Sequence, residues 1–534
     1  MAALCIGLTG PAMAEPAQAP ETDPVALGWM QGFPPAVDKA IRPTDADFFD
    51  FPKRRWTMCH FRQLMPNVAV ARGPDAARAL PEALMPDLGT VRFTPTGSDA
   101  AMTWDEAFDA SYSDGVIVLH HGRIVYERYG GCLGPEGLHG AMSVTKSLTG
   151  LLGQILIAEG ALDPAALIGT LIPELQNSAF GDATLQQVMD MTTALDFSED
   201  YADPEAEIWA YSRAGNPLRP AGETGPEGYW AFLETVTKAG MHGEGFGYKT
   251  VNSDVLGWVI ARATGQSVAD LLADRIWTRI GAQREAFYTV DALGTPYAGG
   301  GFNANLRDMA RLGQLLLDDG QIDGRQIIPR AAVGMIQRGG EPALFAKAGF
   351  DLPGWSYGSM WWNTHDDHRS YAARGVHGQT LWIDPQADMV IARFASHPVA
   401  ANAANDPTSL PAFRALADHL IAHDDAPLLG RAWIIEDIAG GGTIDNTQPS
   451  LHFLADGRLA GSTGCNRIIG TYQTEGTQLT LSPAGTTMMA CPEALMIQES
   501  KLLDLLGQIT GFALDETGAL ILTTGTGTTL TARR

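Results

Sequence analysis

The stretch GAMSVTKSLTG, residues 140–150, places a serine three positions ahead of a lysine. Three residues make nearly one helical turn, so Ser143 and Lys146 share a face if this segment is helical. Leu148, Leu151, Leu152, Ile155 and Leu156 follow at three- and four-residue steps, which predicts a helix over 143–159, stopped by Gly160. A helix start directs free N–H groups and a positive dipole end at Ser143. A lysine held in a dry cleft gives up its proton readily. It then serves as base for a nucleophilic serine. The rival reading is a helix-capping serine beside a solvated lysine. The pair alone leaves both open.

Working outward, GVIVLHHGRIVYERY from residue 115 reads as two strands joined at His121-Gly122. Helices are expected from about 184, over 252–265, over 267–282 and over about 411–423, with TLWIDP and DMVIARFAS as strands before the last. The loops between them are long and rich in Gly and Pro, above all 200–247. Strands lie at both ends of this region and helices fill its middle. The expected fold is therefore α+β: one antiparallel sheet built from both ends, flanked by helices, with an inserted helical subdomain. The site belongs in the crevice between sheet and helical part. From Trp433 onward the chain turns rich in Thr and Gly, with short strand candidates and one helix over about 492–507. That predicts a small, separate β-rich domain with one helix.

Composition narrows the function. The chain has 534 residues, 45% of them hydrophobic and 18% charged, as expected for two or three soluble domains. Its formal net charge of −25 disfavours nucleic acid as a partner. No apolar run reaches the roughly 18 residues of a membrane span. MAALCIGLTGPAMA reads as the remnant of a signal peptide over 1–14, ending in an A-x-A cleavage site, and 15–45 reads as an unpacked linker. Export to the periplasm or medium of a bacterium is expected. Without Cys5 four cysteines remain, which permits three pairings. Sequence position favours Cys59 with Cys132 and Cys465 with Cys491, one pair per domain.

Three features in order decide the reading: the Ser143-x-x-Lys146 helix, FGYKTVNSDVLGW with Tyr248, and RGVHGQTLWIDP at 374–385. Residues 100–425 with these motifs resemble the serine β-lactamase and penicillin-binding-protein superfamily, most of all the class C-like esterases and 6-aminohexanoate-dimer hydrolases. FSEDYADP, residues 197–204, is similar to the latter subgroup. The resemblance implies that Ser143 is the acyl-accepting nucleophile. It implies that Lys146 and Tyr248 share general-base duty, that Tyr248 protonates the leaving group, and that the N–H groups of Ser143 and Gln379 form the oxyanion hole. Tyr201, Thr250, Asn252, His377 and Gly378 are implied on the substrate side. Residues 430–534, through GRLAGSTGCNRIIGTY and TTMMACPEALMIQESKLLDLL, resemble the META domain of heat-shock lipoprotein-like bacterial proteins.

Two motifs depart from the family. Its usual Tyr-x-Asn becomes Tyr248-Lys249-Thr250, with Asn252 displaced. Its Lys-Thr-Gly becomes Val376-His377-Gly378, which loses the lysine that attracts a β-lactam carboxylate. HDDH at 365–368 and HLIAH at 419–423 read as polar surface, not as metal ligands. The reading is an exported serine hydrolase over 46–428 with a META-like domain over 430–534. It uses neither metal nor organic cofactor and takes a small ester or amide, or a short peptide-like substrate. The alternatives are a non-catalytic envelope binding protein on the same fold, a β-lactamase and a D-alanyl peptidase.

Overall fold

Residues 113–120 and 123–129 carry the β-branched and aromatic residues that suit a pleated surface. His121 and Gly122, which join them, both have positive φ (51° and 71°), as a primed two-residue hairpin turn requires. The computed structural model describes residues 19–220, 222–424, 426–454, 456–515 and 517–534. In it these segments form strands β1 (Ser113–His120) and β2 (Arg123–Tyr129). The sheet is completed by β3 (Ser356–Gly358), β4 (Trp361–Asn363), β5 (Tyr371–Gly375), β6 (Gln379–Asp384) and β7 (Met389–Ala395). The seven strands run antiparallel in the order β3-β4-β5-β6-β7-β1-β2, so the sheet is built from both ends of the region, as expected.

Helices cover both faces. On one lie α1 (Val144–Ala158) and α3 (Leu306–Leu317), with α2 (Val251–Thr264) packed on α1 in the helical part. Gly313 lets α3 approach the sheet, since a Cβ there would meet Val390 Cγ1 at 2.5 Å. On the other face lies α4 (Asp406–Ala422), whose Phe413 ring is 5.4 Å from that of Trp382. It begins five residues before the expected 411. Pro407 fits its first turn and Pro411 is tolerated near its start, so the prolines do not mark the boundary.

Eight strands, from β8 (Trp433–Ile438) to β15 (Thr529–Arg533), close into a barrel. One helix, α5 (Glu493–Leu506), interrupts them and sends Leu502, Leu505 and Leu506 into the barrel core. The barrel meets the seven-stranded sheet where β6 ends and β7 begins. There Arg431 N donates to Asp388 Oδ2 at 2.8 Å, and Arg534 lies 3.6 Å from the same oxygen. Strand β6 separates this end of the sheet from Gly375 and Gln379 by about 17 Å.

Cys59 is bonded to Cys132 and Cys465 to Cys491, with Cα separations of 6.0 and 6.2 Å. The expected signal segment over 1–14 lies outside the described residues. The expectation of an unpacked stretch over 15–45 is corrected for its described part, from residue 19 on. Ile41 is 2% exposed against Trp56 and Leu64, and Trp29 and Met30 pack beside them. A few well-placed apolar side chains anchor a segment whose average composition is that of a linker.

Candidate active site

Ser143 stands at the N-cap of α1, yet its hydroxyl makes no capping bond. Instead Lys146 Nζ donates to Ser143 Oγ at 2.9 Å and to Gly299 O at 2.6 Å. The approach to the helix is pinned from the side. Ala141 N donates to Phe302 O at 2.8 Å, and Phe302 N donates to Thr145 Oγ1 at 3.1 Å. Met142 is held at φ 47°, a strained conformation for a residue with a side chain, immediately before the serine.

Lys146 is 1% exposed. Burial, which disfavours its charged form, brings its pKa down to about 8, while the carboxylates of Glu199 and Asp254 pull the other way. Asp254 is itself buried, and burial raises it to about 7 although Tyr211 OH and Ala298 N donate to it. The segment YAGGGF, residues 297–302, wraps this lysine. A Cβ on Gly299 would meet Thr250 Cγ2 at 2.5 Å and Asp254 Oδ2 at 3.2 Å, so only glycine lets its carbonyl reach the ammonium.

Tyr248 completes the trio. The Lys146 ammonium lies 5.2 Å from its ring centroid. Burial drives its hydroxyl well above the usual phenol range and Glu199 adds to this, while the hydrogen bond with Ser143 and the charge of Arg374 oppose it. Tyr357 and Trp362 stand against it at 5.8 and 5.6 Å, giving the cleft an aromatic wall. Tyr201 lies at the mouth, 38% exposed, with its hydroxyl donating to Glu199 Oε1 at 2.9 Å.

Five sequence-expected residues take other contacts. Thr250 donates through N and Oγ1 to Glu199, and Asn252 accepts from Thr193 Oγ1 at 2.7 Å and donates to Lys249 O; both are fully buried and serve as scaffold. His377 turns away at φ 64°, its Nδ1 on His397 O at 2.8 Å and its ring 5.7 Å from Phe49. Gly378, at φ 94°, closes the turn and accepts from Arg393 Nε at 2.9 Å. Gln379 pairs with Gly375 across the hairpin, and its side chain clamps the turn by donating to Val376 O and Ala395 O. The chain approaches Ser143 at Gly375, where a Cβ would lie 2.9 Å from Ser143 N and 2.8 Å from Ala141 O. The Lys-Thr-Gly comparison therefore moves three positions earlier, to Ala373-Arg374-Gly375. Gln379, the expected oxyanion donor, lies across the hairpin from this approach, paired with Gly375. Of the two histidine motifs, His365 Nε2 meets Ser356 Oγ at 2.7 Å and His368 Nδ1 meets Asp384 Oδ2 at 2.7 Å, so HDDH forms separate loop contacts.

Residues 106–411 match the Beta-lactamase family, which covers more than half of the 534 residues. The chain belongs to the beta-lactamase family. Residues 426–534 match the META domain. A 6-aminohexanoate-dimer hydrolase of Paenarthrobacter ureafaciens is 33% identical over 362 residues, 67% of this chain and 89% of that protein. A solved structure, "Putative 6-aminohexanoate-dimer hydrolase from Bacillus anthracis", shares 30% identity with a TM-score of 0.66, over 73% of this chain and 100% of that one. The beta-lactamase family fold and a serine hydrolase activity are thereby established for this protein. Sequence reasoning missed Glu199, Asp254, Gly299 and Gly375. Glu199 stands inside the quoted FSEDYADP, and the glycine run 299–301 was the available signal for a close backbone approach.

Proposed function

We propose that this hydrolase cleaves a linear amide or ester through an acyl-enzyme on Ser143. The observation that carries the reading is the buried Lys146 Nζ, 2.9 Å from Ser143 Oγ, with its pKa brought down to about 8. In its neutral form the lysine takes the serine proton as Oγ attacks the carbonyl carbon. Tyr248, whose hydroxyl burial keeps protonated, relays a proton to the leaving nitrogen or oxygen. Ser143 N and Val376 N stabilise the oxyanion, each donor worth a few kcal/mol. Water then attacks the acyl carbon, the same base takes its proton and returns it to Ser143 Oγ as the acyl–oxygen bond breaks, and the acid is released.

The aromatic wall and the half-exposed Tyr201 favour a flat or extended acyl group, in keeping with the activity named for the relatives, hydrolysis of a 6-aminohexanoate dimer. A β-lactam carboxylate finds no lysine at Ala373, and Arg374 one position on is paired with Asp406. That disfavours both the β-lactamase and the D-alanyl peptidase reading. A non-catalytic binding protein would have no use for a desolvated base on a hydroxyl. Two disulfides support export to an oxidising compartment, the periplasm or the medium. N-terminal sequencing of the protein recovered from each cell fraction tests that.

The decisive experiment is intact-protein mass spectrometry with a fluorophosphonate, then with esters, linear amides and nitrocefin. One adduct on Ser143, and faster turnover of an ester or amide than of nitrocefin, are expected. Labelling at another residue overturns the nucleophile. A kcat/KM for nitrocefin above every ester and amide overturns the substrate class.

A further inference from the structure

The turn between β1 and β2 carries two adjacent histidines that the chemistry above does not use. His120 and His121 are 8% and 6% exposed, and their rings lie 3.8 Å apart. His120 Nδ1 meets Ala387 O at 2.9 Å, which fixes the proton on Nδ1 and leaves a lone pair on Nε2. That Nε2 is buried and has no hydrogen-bond partner among the described residues. His121 Nδ1 faces Asp388 Oδ2 at 3.5 Å. Its Nε2 lies 3.0 Å from Asp424 Oδ1 but outside hydrogen-bond geometry, and it too is unpartnered among the described residues.

We infer that His120, His121 and Asp424 form a site for one divalent transition-metal ion of the zinc class at the junction of sheet and barrel. Their ligand atoms all lie within 4.8 Å of one another. Tetrahedral coordination at about 2.0–2.1 Å asks for separations of about 3.3 Å, close to the 3.0 Å between His121 Nε2 and Asp424 Oδ1. Each ring presents one nitrogen to the common point and its other nitrogen to a carbonyl or a carboxylate, the outer contact that orients metal-binding imidazoles. Two neutral imidazoles and one carboxylate leave a net positive charge, which Asp388 offsets. Asp424 belongs to the segment between α4 and the barrel, so the ion would tie that segment to the sheet. The barrel end of the sheet is remote from Ser143, so the site is structural and stands independently of the proposed reaction.

The test uses the untagged full chain, stripped with a chelator and titrated with Zn2+ and with Co2+. One equivalent bound per chain, with the visible band of tetrahedral Co2+, is expected. His120→Gln and Asp424→Asn should each weaken binding at least about 100-fold, and Asp388→Asn by about 10- to 100-fold. Asp424 lies in a connecting segment, so its variant keeps the fold, which circular dichroism verifies. Absence of a bound equivalent in the parent chain overturns the site and leaves His121 as a cationic bridge between two carboxylates. Binding that survives both ligand substitutions overturns it as well.

Discussion

The cleft at Ser143 and the cluster under α5 both bury polar side chains, but they do so to opposite ends. Under α5, Glu499 accepts from Thr463 Oγ1 and from Asn466 Nδ2, while Gln498 accepts from Ile444 N and donates to Thr463 O. Donors and acceptors there answer one another, which ties strands and helix into one rigid body. In the cleft, Lys146 has two acceptors, Ser143 Oγ and Gly299 O, and two carboxylates act on it only through space. Complete pairing makes the barrel a scaffold. On the proposed mechanism, incomplete pairing of a buried charge makes the cleft reactive, because the desolvated lysine has a weakened hold on its proton.

Ser143→Ala tests this contrast most severely. Ester hydrolysis should fall on the order of 10⁴-fold or more while the melting temperature holds. Turnover near the parent level, measured with a p-nitrophenyl ester, would remove the reactive half of the comparison. Gly375→Ala comes next. At φ −132° any residue is allowed, so only the new Cβ at 2.9 Å from Ser143 N acts. A loss in kcat of about 10²-fold is expected, as for removal of one oxyanion donor. An unchanged kcat would mean that this edge does not approach the nucleophile.

The pH profile sharpens the lysine's part with a smaller effect. On the proposed mechanism the neutral lysine is the active form, so kcat/KM should climb with pH through about 8 and level off above it. Glu199→Gln removes a charge that raises Lys146, so the rise should move to lower pH. A profile that stays put, or moves up, would detach Glu199 from the base.

The barrel should show the smallest effect on chemistry. Cys465→Ser opens a link between residues 26 apart, which should cost the barrel about 3 kcal/mol in denaturant titration and leave ester hydrolysis alone. Residues 15–428 expressed without the barrel should likewise keep their activity, since every group around Ser143 precedes 380. A folded but inactive truncation would make the barrel part of the active unit.

Local pattern carried much of this in the sequence. Helix α1, the β1–β2 hairpin, the order of sheet and helical part, and the β-rich tail all follow from apolar periodicity, which acts over a few residues. The Ser143–Lys146 pair was legible for the same reason, because one helical turn brings both to one face. What only the tertiary structure decided is which distant groups converge. Thr250 and Asn252 lie two and four residues from Tyr248, yet the start of α2 turns them into the scaffold. The hairpin after β5 turns His377 and Gly378 away and sets Gly375 against Ser143 N. Glu199, Asp254 and Gly299 reach Lys146 from three separate loops and helices. Burial and through-space charge depend on positions in space, and residues far apart in the chain acquire those positions only when the sheet and the helical part close on one another.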